Sequence, residues 1–137
     1  NRDDWELGRP TLELPAFITR VSQAGAAILP RFAGSFCRGD VSPDVARQLL
    51  AQATPQPQAA MEAGLAWLGE ADLRASLPLV RCPVTVIHGE QDPLMPVAAA
   101  RWLAEHLPRA TLHVLPGKAH APFAPDPAIF LEVLPRP

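Results

Sequence analysis

The chain has 137 residues, 48% of them hydrophobic, and 12 lysines and arginines against 14 aspartates and glutamates for a formal net charge of -2. This is the size and composition of one soluble domain, and a balance this close to neutral gives no electrostatic case for a nucleic-acid partner. No apolar run reaches the length of a membrane span, and Asn1-Arg2-Asp3-Asp4-Trp5 lacks the charged-then-apolar order of a secretion signal, which together point to a cytoplasmic protein without membrane association.

From Leu12 the apolar positions Leu14, Phe17, Ile18, Val21, Ala24 and Ile28 recur at spacings of three and four, the signature of one helix face. Pro30 is expected to end that helix, and Arg31 to Asp40 reads equally as a helical continuation or a connection. Ser42-Pro43-Asp44 is a helix start: a serine to cap free amides, a proline for the first turn, an aspartate for the positive end of the dipole. Thr54-Pro55 repeats the signal, and the following helix carries Met61, Leu65 and Leu68 on one side before stopping near Gly69. Residues 1–69 thus read as a helical layer and 70–137 as a second unit, joined by a connector from Glu70 to Arg81. The two cysteines, Cys37 and Cys82, are too few for a disulfide framework and are expected to be packed thiols in a reducing compartment.

The second unit holds the chemistry. Pro83-Val84-Thr85-Val86-Ile87-His88-Gly89-Glu90-Gln91-Asp92-Pro93 is a β-branched run that breaks off at a glycine turn and then presents a carboxylate. A helix with Ala98, Trp102 and Leu103 available for packing runs from Val97 to His106. A second strand, Thr111 to Leu115, leads into Pro116-Gly117-Lys118-Ala119-His120-Ala121-Pro122-Phe123, and Asp126-Pro127 opens a last helix, Ala128 to Leu134. Strands joined by a crossover helix are parallel and end on the same sheet edge, so Asp92 and His120 should project from neighbouring loops. A carboxylate that holds an imidazole in one tautomer prepares it to take a proton from a hydroxyl nucleophile. His88, His106 and His113 form no short-spaced ligand pair with each other or with a cysteine, so no metal site is expected.

These two runs, Val86-Ile87-His88-Gly89-Glu90-Gln91-Asp92-Pro93-Leu94-Met95-Pro96 and Gly117-Lys118-Ala119-His120-Ala121-Pro122-Phe123, resemble the acid and histidine motifs of the α/β-hydrolase superfamily. Asp4-Trp5, the Phe17 helix, Arg31-Phe32, Gly64-Leu65 and Asp72-Leu73-Arg74 resemble the lid and lid-to-core junction of the pimeloyl-acyl-carrier-protein methyl ester esterases of biotin synthesis. The resemblance implies an α/β fold: a helical lid, then the last two parallel strands of a hydrolase core with their helices. It implies Asp92 as the acid and His120 as the base of a serine-esterase triad, with no cofactor. It also places Phe17 in the acyl-binding channel and Arg31 among the lid arginines that hold acidic acyl carrier protein.

The same family order puts a serine in a G-x-S-x-G elbow before the acid. Gly34-Ser35-Phe36-Cys37-Arg38-Gly39 does not have that spacing. The chain therefore reads as the C-terminal portion of an esterase, expected to be inactive alone and to pair with a missing N-terminal half. Failing that partner, its unpaired strand edges favour a strand-swapped dimer. Two other readings stay open: a related small-molecule hydrolase such as an enol-lactonase, and a non-catalytic helical binding or dimerisation module.

Overall fold

The computed structural model describes residues 4–10, 13–40, 42, 44–54, 56–124 and 127–134. Leu12, Pro43, Pro55, Asp126 and Pro135, which carried start or stop signals in the sequence, lie outside the described residues, as do Asn1, Arg2 and Asp3. Helices α1 (Glu13–Ala24), α2 (Leu29–Phe36), α3 (Val45–Gln52) and α4 (Gln58–Glu70) come first. Strand β1 (Val84–Gly89), helix α5 (Val97–His106), strand β2 (Ala110–Leu115) and helix α6 (Pro127–Val133) follow. Short 3-10 turns at Gly25–Ile28 and Arg74–Leu79 join α1 to α2 and α4 to β1.

Two helix boundaries differ from expectation. Pro30 does not end a helix; it occupies the first turn of α2, where its missing N–H would have had no partner in any case. The helical register breaks earlier, at Gly25. Ser42 does not cap α3 either. The cap position is Asp44, with no side-chain cap bond, and the Asp44 carboxylate pairs instead with Arg47 at 2.8 Å. Arg31 to Phe36 resolves as helix, and Arg38 to Asp40 as a turn.

Within the helical layer α1 packs on α4 and α2 on α3, burying Val21, Ala33 and Val45. Helix α4 is apolar on more than the stripe that α1 covers. Met61 and Leu65 are half-buried, whereas Leu68, expected to pack beside them, is exposed together with Trp67. In the second unit β1 and β2 pair in parallel, Val84 opposite Ala110 through Gly89 opposite Leu115. Helix α5 crosses back over both strands, as a parallel connection requires. It buries Ala100, and Leu107 just beyond it, while Ala98 turns out to solvent.

An aromatic stack ties the junction together. Trp5 meets Trp102 edge-on at 4.7 Å between ring centroids, and Trp102 stacks on His106 at 3.8 Å. Arg74 lies over the Trp5 ring and bridges Asp72 (2.7 Å) and Asp4 (2.6 Å), whose hydrogen bonds push its pKa further up and keep it charged. Among the described residues no helix is long and apolar enough to cross a membrane.

Candidate active site

The parallel register places the ends of both strands side by side, Gly89 against Leu115. Beyond them the two loops are fastened by main-chain bonds. The Glu90 N–H donates to the Leu115 carbonyl (3.0 Å) and the Gln91 N–H to the Lys118 carbonyl (2.8 Å). The approach leaves no room for a side chain at Gly89, where a Cβ would overlap the carbonyl oxygens of Lys118 and Ala119. Lys118, Ala119 and Ala121 are buried, so the chain entering and leaving His120 is held on both sides.

Asp92 is the hub of the arrangement. Its side chain is 4% exposed. Oδ1 accepts the N–H groups of Leu94 (2.8 Å) and Met95 (3.0 Å), an Asx turn that fixes the carboxylate plane. Oδ2 accepts from His120 Nδ1 at 2.8 Å. A carboxylate can only accept, so this nitrogen carries the proton, and in the neutral ring Nε2 is then the acceptor. His120 is 38% exposed, which leaves the ring reachable from solvent. The side chain is both oriented and accessible.

His88 joins this cluster, although its position at a strand end gave no reason to include it. Its Nε2 lies 3.6 Å from Asp92 Oδ2 and 3.0 Å from the Met95 carbonyl, to which it must donate. The ring thus braces the Asx turn from the strand side, while the Arg9 guanidinium donates to the Pro93 carbonyl. One signal was present: His88 and Asp92 are four residues apart across the end of a strand, where a sharp turn brings such positions together.

The helical layer reaches the site through α2. The His120 N–H donates to the Phe36 carbonyl (3.3 Å), and the Phe36 ring meets the imidazole edge-on at 5.6 Å. Phe36 packs on Phe32 (5.1 Å) and Phe32 on Phe17 (4.8 Å), a row of aromatic rings running from α1 to His120. Phe17, expected at an acyl channel, stands at the far end of that row with the Arg20 guanidinium 5.7 Å above its ring. Arg31 lies outside the cluster, exposed on α2. The Ser35 hydroxyl donates back to the Phe32 carbonyl at 2.7 Å within the same helix. His113 sits within β2 opposite Ile87, and His106 belongs to the tryptophan stack. Among the described residues no group of three or more His, Cys, Asp or Glu side chains could hold a metal ion.

The thiols are both free, and Cys82 is exposed in the segment just before β1 rather than packed. Cys37, half-buried at the end of α2, has its pKa raised first by burial and then by the Asp40 carboxylate. Only the thiolate reacts with iodoacetamide, and a raised pKa lowers its fraction at any given pH. Mass spectrometry after limited alkylation near pH 8 should therefore find Cys82 modified well before Cys37. Equal rates at the two positions would contradict this picture of the Phe36–Asp40 turn.

An acid and an imidazole joined at the C-terminal ends of adjacent parallel strands, beneath a layer of helices, is an arrangement of α/β hydrolases. The chain belongs to the alpha/beta hydrolase family, whose model matches residues 3–133. It is similar to the pimeloyl-acyl-carrier-protein methyl ester esterase of Nitrosomonas europaea, 36% identical over 136 residues covering 96% of this chain and 54% of that protein. The esterase of the same name from Aromatoleum aromaticum is 38% identical over 135 residues, 93% of this chain and 54% of its own length. The chain spans about half the length of these curated relatives. The fold is also that of an esterase from Exiguobacterium antarcticum (TM-score 0.79, 22% identity, 96% of this chain and 49% of that one). A bromoperoxidase from Bacillus anthracis shares it as well (TM-score 0.77, 21% identity, 96% and 50%).

Proposed function

We propose that this protein supplies the acid, the base and the helical lid of a serine esterase that hydrolyses the methyl ester of a pimeloyl chain carried on acyl carrier protein. The observation that carries the reading is the 2.8 Å hydrogen bond from His120 Nδ1 to the buried Asp92 carboxylate at the strand ends. In this reading residues 1–69 are the lid and 70–137 are core, and the nucleophilic serine comes from a segment outside these residues. That serine attacks the ester carbonyl while His120 Nε2 takes its proton. The imidazolium, held and stabilised by Asp92, returns the proton to the departing methoxide, which leaves as methanol. Water, deprotonated by the same nitrogen, then cleaves the acyl-enzyme and frees the carboxylate. Asp92 stays ionised throughout. The reaction needs no cofactor.

The aromatic row from Phe17 through Phe32 and Phe36 supports an acyl-binding role, because it is a continuous run of apolar rings that ends against the proposed base. Arg31, exposed on α2, suits the acidic carrier, since a guanidinium stays charged and grips phosphate and carboxylate with two donors. The test is hydrolysis of pimeloyl-acyl-carrier-protein methyl ester by the protein joined to its serine-bearing segment. Arg31→Glu and added salt should each raise KM about tenfold with kcat little changed, as for a surface charge that acts on encounter. No turnover of this ester under any of these conditions would overturn the reading.

A further inference from the structure

Asp40 lies on the turn after α2 and takes no part in the chemistry just described, yet it is bonded into the histidine loop. Its Oδ1 accepts the Ser42 N–H of its own turn at 3.0 Å. Its Oδ2 accepts the Ala119 N–H at 3.2 Å, 79 residues away in sequence and one residue before His120. Ala119 is fully buried, so water cannot readily replace that acceptor. The same turn makes two further attachments to the site loops. The Phe36 carbonyl accepts the His120 N–H, and Gly39, at φ +97°, presses so closely on Gln91 that a Cβ would stand 3.1 Å from the Gln91 Cβ and 3.3 Å from its backbone oxygen.

We infer that Asp40 is a positioning residue for His120: it fastens the helical layer to the peptide ahead of the histidine, so that seating this layer and docking the imidazole on Asp92 are one event. The physical reason is the geometry of the peptide. The Ala119 N–H lies in the plane of the Lys118–Ala119 peptide; rotation of that plane shifts the Ala119 Cα and the backbone that carries His120, and a displacement near 1 Å is enough to break a hydrogen bond of 2.8 Å. Without Asp40 the buried Ala119 N–H has lost its partner, and the plane rotates to find another. The side chain that prevents this belongs to the lid side of the molecule, not to the core.

The inference rests on His120 being the working base, but its readout is independent of turnover. In 15N-labelled protein the proton on His120 Nδ1, hydrogen-bonded to a carboxylate, gives a far-downfield resonance that exchanges slowly with water. Asp40→Ala should broaden it away or speed its exchange by about tenfold, the loss of one charge-assisted bond. Asp40→Glu should restore part of it, and Asp44→Ala, which removes a neighbouring exposed carboxylate, should leave it unchanged. If Asp40→Ala does not melt cooperatively, Asp40→Leu is read in its place, since it keeps the bulk of the side chain and offers no acceptor to the Ala119 N–H. A resonance absent from the unsubstituted protein, or exchange within twofold of it in the folded Asp40 variant, overturns the inference. Ester turnover that needs His120 alongside such an unchanged resonance would remove Asp40 from the picture and leave the esterase reading intact. Loss of the resonance without any esterase turnover in the joined protein would do the opposite.

Discussion

In the protein joined to its serine-bearing segment, and on the esterase reading proposed above, Asp92→Asn should lower kcat for ester hydrolysis about 10⁴-fold while changing KM little. The reason lies in what each carboxylate oxygen does. The asparagine carbonyl can take over from Oδ1 and accept the Leu94 and Met95 N–H groups, so the turn survives. The amide nitrogen then faces His120 Nδ1 where Oδ2 stood at 2.8 Å. A donor there forces the imidazole to present Nδ1 as acceptor and moves the proton to Nε2. The ring is in place but in the wrong tautomer, and it cannot take the serine proton. The loss corresponds to roughly 5.5 kcal/mol of transition-state stabilisation, far above any effect of charge screening at a distance. His120→Ala should cost at least as much. A fall smaller than about tenfold for either variant, measured by methanol release, would remove both residues from the mechanism.

Gly89→Ala should be strongly destabilising. A Cβ at this position overlaps two backbone oxygens, those of Lys118, which accepts the Gln91 N–H, and Ala119, whose peptide is tied to Phe36 through the His120 N–H. Overpacking against backbone costs about 3 kcal/mol or more, a large part of the stability of a domain this size. A fall in Tm of about 10 °C is expected, with the His120–Asp92 hydrogen bond lost even in the folded fraction. The control is Gly34→Ala. Gly34 lies within α2 with open space where its Cβ would stand, so alanine there should stabilise the helix by about 0.5–1 kcal/mol. Thermal melts of the two variants should move in opposite directions. A Gly89→Ala melt at or above the parent's would show that the loops are not packed as described.

The alternation of strand, helix and strand was legible because it rests on short-range patterning. A β-branched run, a glycine turn, an amphipathic interval and a second such run leave one economical topology, and parallel pairing then brings Asp92 and His120 to one edge. What was misread depends on three-dimensional context. Pro30 stops a helix in its interior but suits a first turn, and only the break at Gly25 decides which applies. The serine–proline–aspartate start at residue 42 marked α3 to within three positions, yet the helix begins at Val45 with Asp44 in the cap position, two residues beyond the serine. Leu68 and Ala98 carry the residue types of a core and are exposed, because periodicity shows which residues share a face but not what covers it. Cys82 was expected to pack from its residue type alone and is exposed. Asp40 and His88 left the faintest traces. The partner of the first lies 79 residues away, and that of the second lies across a turn whose sharpness the sequence does not state.

The fastening of the two loops has a further implication for how this scaffold tolerates change. The bonds from Glu90 to Leu115 and from Gln91 to Lys118 are made by peptide groups, while the side chains of Glu90 and Pro116 point into solvent. A library randomised at those two positions could alter the polarity around the strand ends without disturbing the Asp92 carboxylate or the His120 imidazole. Selectivity could then drift between generations while the proton-handling apparatus stays constant.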